Sequence, residues 1–270
     1  MADSIPEKKE TKKLDLITRG DHGSTPLGSA LFVGLRALDP LLQYQILANG
    51  LGTSLLHRIG LSTLPLGVPV QTGIALVDGL GLSPYRLFLF GMAVGSMLKQ
   101  NIWLLSISND PMPVPASLAI SCYNTFLNSL NSYLFLCTAT SASLSGNARF
   151  PQLPLIIGGT LYVVGILTEL VAEIQRAAFK RDPRNKGRAY TGGLWQVARH
   201  INYTGYSLWR AGYAMAGGGF TFGALVASFL VFDFTTRAVP NVDEYCTKRY
   251  GQDWVDFKIK VLYKMLPGLY

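Results

Sequence analysis

Long apolar runs separated by short polar clusters set the pattern of this chain. Asp, Glu, Lys and Arg are absent from 111–148, from 150–168 and from 211–232. Each stretch reaches the roughly 18 apolar residues that mark a membrane-crossing helix. A soluble helix of that length would show a charged outer face, and these do not. The pattern predicts an all-α, polytopic membrane bundle of about six or seven transmembrane segments. Apolar segments fall at about 27–50, 64–81, 84–106, 115–138, 151–175 and 204–236. Arg36, Asp39 and Pro40 interrupt the first, which suggests that it lies partly at the interface. Ser83-Pro84 opens the third, and Asn109-Asp110-Pro111 follows its end, both with turn chemistry. The last run of about 33 residues is too long for one simple span at about 1.5 Å per residue. Gly217-Gly-Gly219 divides it, so a helical hairpin is expected there that returns the tail to the side it left.

Composition sharpens this picture. The 270 residues are 49% hydrophobic and only 15% charged, against about 25% charged in soluble domains. The net charge of +8 is unevenly placed. From Arg176 to His200 seven bases face Asp182 alone, which favours a cytosolic position for that loop and, through the hairpin, for the C-terminus. Such a loop also attracts anionic headgroups. Nucleic acid is not an expected partner, because the charges adjoin apolar spans. Three cysteines, Cys122, Cys137 and Cys246, lack metal-ligand spacing, so neither a disulfide nor a metal site is expected. The Lys- and Glu-rich N-terminus has no apolar run before about Leu27, so no cleavable signal peptide is expected, and residues 1–24 read as a disordered polar segment.

Candidate chemistry concentrates around the basic loop. Glu169 and Glu173, four apart, share one helix face at the end of the fifth span, and an ionisable group at membrane depth points to function. Arg176 and Lys180 repeat that spacing and offer a fork and a point charge for phosphates. Arg199-His200 and Asn202-Tyr203 follow, the amide able to donate and accept. Trp195 and Tyr203 offer rings for stacking, although interfacial belts also collect such aromatics. Walker and glycine-rich dinucleotide signatures are missing.

The run Gly193-Leu-Trp-Gln-Val-Ala-Arg-His-Ile-Asn-Tyr-Thr-Gly205, with Asp243-Glu-Tyr-Cys-Thr-Lys-Arg-Tyr-Gly-Gln-Asp-Trp254 and Val261-Leu-Tyr-Lys-Met-Leu-Pro-Gly-Leu-Tyr270, resembles integral membrane sterol reductases and steroid 5-alpha-reductase-like proteins. The N-terminal spans resemble a fungal subgroup. The resemblance covers about 173–270. It implies N-terminal spans over 25–174, a cofactor-binding region over 175–270, and an endoplasmic reticulum location. It further implies NADPH as cofactor and reduction of a carbon–carbon double bond in a lipophilic substrate taken from the lipid bilayer. By position, Arg176 and Lys180 match the pair that grips the cofactor's phosphates. Trp195, Asn202 and Tyr203 match stacking and hydrogen-bonding positions, and Cys246 to Tyr250 a cofactor-lining stretch; Arg199, His200 and Asp243 complete the candidate cofactor-binding residues. Glu169 and Tyr206 are the candidate proton donors. Tyr206 stands where the family carries Asp or Glu, Phe257 where it often has Tyr, and Asp243 is displaced by one residue from the usual carboxylate.

Two alternatives belong to other classes. Isoprenylcysteine and phospholipid methyltransferases, which bind S-adenosylmethionine, share an Arg-His-Pro-x-Tyr signature on a similar bundle. Here Ile201 replaces the Pro. A non-catalytic sterol-binding or scaffold relative is the other; the retained Arg199, Asn202 and Tyr203 weigh against it.

Overall fold

A computed structural model describes residues 23–145 and 149–270. The expected disordered segment falls almost wholly outside the described residues. The helices are α1 (Pro26–Asn49), α2 (Thr53–Arg58), α3 (Ala75–Asp78), α4 (Pro84–Ile102), α5 (Val114–Leu136), α6 (Leu153–Arg181), α7 (Ile201–Asp233), α8 (Val239–Tyr250) and α9 (Gln252–Lys260). No strand occurs among the described residues. Prolines open α1, α4, α5 and α6 within their first two positions, where a missing N–H costs nothing and the fixed φ suits the helix. Gly50 closes α1 in the left-handed conformation at φ 66°, donating back to Gln45 and Ile46.

Among the described residues, three helical stretches are long and apolar enough to cross a membrane: 84–107, 153–181 and 201–250. Their unburied faces carry Val163, Val164, Leu167, Phe220, Phe229 and Phe232, side chains that suit lipid. The molecule is an integral membrane helical bundle.

The 64–81 segment departs from its expected span. It is an open loop holding only the four-residue α3. Pro65 and Pro69 break any helical ladder, and Gly67, Gly73 and Gly81 take positive φ. Asp78 then fastens the loop by accepting from the amides of Thr72 (2.7 Å) and Gly73 (2.9 Å). The interfacial placement of the first segment is corrected too. α1 is one 24-residue helix, and Arg36 and Asp39 are buried inside the bundle because neighbouring helices supply their partners.

The tightest contact pairs α6 with α7. A Cβ on Gly165 would lie 2.4 Å from the Trp209 amide nitrogen, and one on Gly205 2.6 Å from that of Glu169. Gly158 and Gly212 meet in the same way, at 2.5 and 2.4 Å from each other's carbonyl oxygens. Glycines seven apart on each helix thus let two antiparallel backbones touch, the membrane form of close packing. This brings the acidic end of α6 against the start of α7. At Gly219 the backbone leaves the helix at φ 78°, ψ −175°, a conformation reserved for glycine. The chain reverses there, so Phe234 on the return arm stacks on Tyr203 with ring centroids 4.7 Å apart.

Candidate functional site

The end of the bundle where α6 finishes and α7 starts gathers most of the sequence candidates. A compact cluster of Ala172, Trp195, Ala198, Ile201, Cys246, Trp254, Phe257 and Val261 joins α6, the basic loop and the tail. Burying these apolar groups together closes the loop and the tail over one end of α6.

Glu173 is the hub. It is 5% exposed, accepts from Asn202 Nδ2 at 2.8 Å, and is ion-paired with Arg176. The other Asn202 amide atom, Oδ1, is buried without a partner, an acceptor available to a ligand donor. Arg176 lies 5.0 Å from the Trp195 ring centroid. Lys180 Nζ and the Arg249 guanidinium lie 5.8 and 5.9 Å from the Tyr250 ring. Lys180 lies within electrostatic reach of both Arg176 and Arg249, with Cys246 and Asp110 close by. Cations outnumber carboxylates here, which suits an anionic ligand.

Other candidates serve the architecture. Trp195 is buried, donates to the Ala172 carbonyl at 2.8 Å and is covered by Arg176. Tyr203 is sandwiched between His200 (5.6 Å) and Phe234 (4.7 Å). Arg199 clamps the tail through the carbonyls of Val261 and Leu262; its burial lowers the guanidinium pKa, opposed by Asp243 and Tyr270. Backbone bonds from Arg199 to Tyr263 and from His200 to Lys264 finish that seam. Asp243 accepts from the Trp254 indole at 2.8 Å. Cys246 is buried in the cluster and Tyr250 half-buried at its edge.

One turn deeper, Glu169 is ion-paired with Lys99 of α4 and accepts from Trp209 Nε1 at 2.7 Å. Tyr206 is half-buried and accepts from Arg210 Nε at 3.3 Å. The sequence reading omitted Lys99, Arg210, Arg249 and Gln175, which accepts from the Leu194 amide at 2.9 Å. The signal for Lys99 and Arg210 was present, since each is a cation inside an apolar stretch.

The fold is that of an integral membrane helical bundle with a cluster of cations at one end of its helices. Residues 118–260 match the family described as "Protein of unknown function (DUF1295)", which is steroid 5-alpha-reductase-like, and the chain belongs to that family. It is 42% identical over 248 residues to a protein of Ustilaginoidea virens named "Probable O-methyltransferase ustE", covering 90% of this chain and 87% of that one. A Delta(14)-sterol reductase of Gibberella zeae is 28% identical over 161 residues, 42% of this chain and 33% of that protein. The 7-dehydrocholesterol reductase of Danio rerio is 35% identical over 89 residues, 32% of this chain and 18% of that one. The chain thus spans a third or less of these two reductases.

Proposed function

We propose that this protein is a membrane-embedded, NADPH-dependent reductase of a carbon–carbon double bond in a lipophilic substrate. The convergence of Arg176, Lys180 and Arg249 beside the unpartnered Asn202 Oδ1 carries this reading. A pyrophosphate-bearing cofactor suits those cations, and a carboxamide or hydroxyl donor suits the orphan oxygen. The cofactor would supply the hydride; the chain binds, orients and excludes water. The Lys99 pair engages Glu169 as a carboxylate, which leaves the Tyr206 hydroxyl as the proton donor. We place the 176–200 loop and the C-terminus on the cytosolic side of the endoplasmic reticulum, as the positive-inside rule favours for the loop.

The similarity to a named O-methyltransferase across nine-tenths of the chain favours a second reading, methyl transfer from S-adenosylmethionine. Calorimetry on the full chain in detergent, with each cofactor in turn, separates the two. NADPH binding that weakens with salt and is lost in Asn202→Ala/Arg176→Ala supports the reductase. Binding of S-adenosylmethionine alone overturns it, and binding of neither returns the non-catalytic alternative.

A further inference from the structure

An apolar cavity of about 230 Å³ lies between the two arms of α7, and Leu161 of α6 and Leu266 of the tail complete its wall. The first arm is occupied on its other faces: Gly205 and Gly212 lie against α6, and Arg210 donates to Asn124 and Asn128 of α5. The face it turns to the return arm is held at two levels. A Cβ on Gly223 would come within 2.7 Å of the Met215 Cβ, and Tyr203 stacks on Phe234. Between those levels the arms present Ala211 and Ala227 to the cavity, side chains too small to fill the gap that the fixed spacing leaves.

None of the described residues that line the cavity is ionisable, so a charged group would enter at a high desolvation cost. Ser207, also in the wall, is 5% exposed and its hydroxyl has no partner. The Thr204 hydroxyl is spent on the Met265 carbonyl. Water is a poor partner for Ser207, because a buried water needs two to four polar contacts, and an apolar cavity of about 150 Å³ stays dry while taking benzene. The cavity is also elongated. Thr204 and Met215 are eleven residues apart on one helix, about 16 Å along its axis, and 230 Å³ spread over that length is a slot one chain wide. Ser207 lies about 5 Å from the Thr204 end, which Leu266 and the Thr204–Met265 bond close. Ala224, the exposed residue of the wall, is level with Met215 through the Gly223 contact, so the other end opens to lipid.

We propose that this slot binds a neutral single-chain lipid with one small oxygen function, an ester, ketone or alcohol, its oxygen on Ser207 and its chain running toward Ala224. A phospholipid does not suit it, since the polar end is closed and gives a headgroup no way out. From Ser207 to Met215 is about 12 Å, the reach of about ten extended bonds. Asn202 and Ala211, nine residues apart, lie on opposite sides of α7. The slot is therefore separate from the cofactor candidates, and the inference stands whichever cofactor the chain uses. An occupant would brace Leu266 and with it the tail that Arg199 holds over the basic end.

The test is photolabelling of the full chain in nanodiscs of a diether phosphatidylcholine, which carries no ester of its own, without added cofactor. Three probes carry a diazirine near the chain end: methyl dodecanoate, dodecane and a diacyl phosphatidylcholine. Wild type should take up the ester at Met215, Ala224 or Ala227 well above Val163, which is 53% exposed on α6. Labelling of the slot by the ester should exceed that by the hydrocarbon roughly fivefold. Ser207→Ala removes an unpartnered hydroxyl, so it should keep the fold while equalising ester and hydrocarbon. Ala227→Leu, which fills the slot, should abolish labelling at Met215 by both and leave Val163 unchanged. Ester labelling no higher in the slot than at Val163 overturns the site, as does an ester preference retained in Ser207→Ala. Phosphatidylcholine labelling the slot as strongly as the ester overturns the single-chain assignment. If Ala227→Leu fails to fold, the wild-type and Ser207→Ala comparisons still decide.

Discussion

Gly165→Ala is the sharpest test of how the site is built. The added Cβ would fall 2.4 Å from the Trp209 nitrogen, 2.7 Å from the Gly205 oxygen and 2.8 Å from the Leu208 Cβ. Two of those atoms are backbone, so no side-chain rotation relieves the overlap and α6 must move off α7. Overpacking of this kind costs about 1–3 kcal/mol, less the fraction of a kcal/mol by which Ala outperforms Gly in a helix. At roughly 2–4 °C per kcal/mol for a chain of this size, thermal unfolding in detergent should fall by several degrees. Gly91→Ala on α4 is the matched control, because its Cβ would meet nothing within 4 Å; it should hold or raise the midpoint. The same displacement separates Glu173 from Asn202, so affinity for the cofactor should fall with stability. Equal midpoints for wild type and Gly165→Ala would refute the direct backbone contact and the assembly of the site through it.

Lys99→Leu leaves Glu169, whose side chain is 13% exposed, without its cation and should destabilise the fold by up to about 3 kcal/mol; the Lys99→Leu/Glu169→Gln double variant should recover much of that in the same melt. Arg199→Ala strands the carbonyls of Val261 and Leu262 at about 1–3 kcal/mol, and faster tryptic cleavage at Lys258, Lys260 and Lys264 would report the loosened tail. Asp78 accepts from Thr72 and Gly73, which holds its pKa below the usual carboxylate value. Its contribution is therefore present above the unfolded pKa near ~3.9 and lost as pH falls through the lower folded value. Hydrogen exchange at the Thr72 and Gly73 amides should accelerate in that acid window, and Asp78→Asn should show fast exchange at neutral pH too.

The apolar runs were long enough to give five of the helices directly, α1, α4, α5, α6 and α7, and the triple glycine marked the place where α7 reverses. The 64–81 run misled because its hydropathy is high while its prolines and glycines forbid a helix, and Asp78 fastens the loop they leave. Arg36 and Asp39 misled in the opposite sense: charges suggested an interface, but Gln100, Thr125 and Asn128, 64 to 89 residues away in sequence, receive them inside the bundle. Local periodicity carries no information about such partners.

At the site the same division holds. Residue types alone pointed to the basic end of α6 and the start of α7, because cations, an amide and carboxylates adjoining apolar spans are costly without a ligand or partner. Which of them face a ligand was decided by packing. Trp195 spends its N–H on Ala172 and Arg199 its Nη1 on Val261 and Leu262, Tyr203 has both ring faces covered, and among the described candidates Asn202 Oδ1 and Arg199 Nε stay buried without a partner. The sequence by itself determined a membrane bundle with a basic end, since hydropathy and charge act through composition and short spacing. The glycine contact that sets Glu173 against Asn202, and the pairing of Arg210 with α5, depend on backbones meeting across long separations, and only the tertiary structure could decide them.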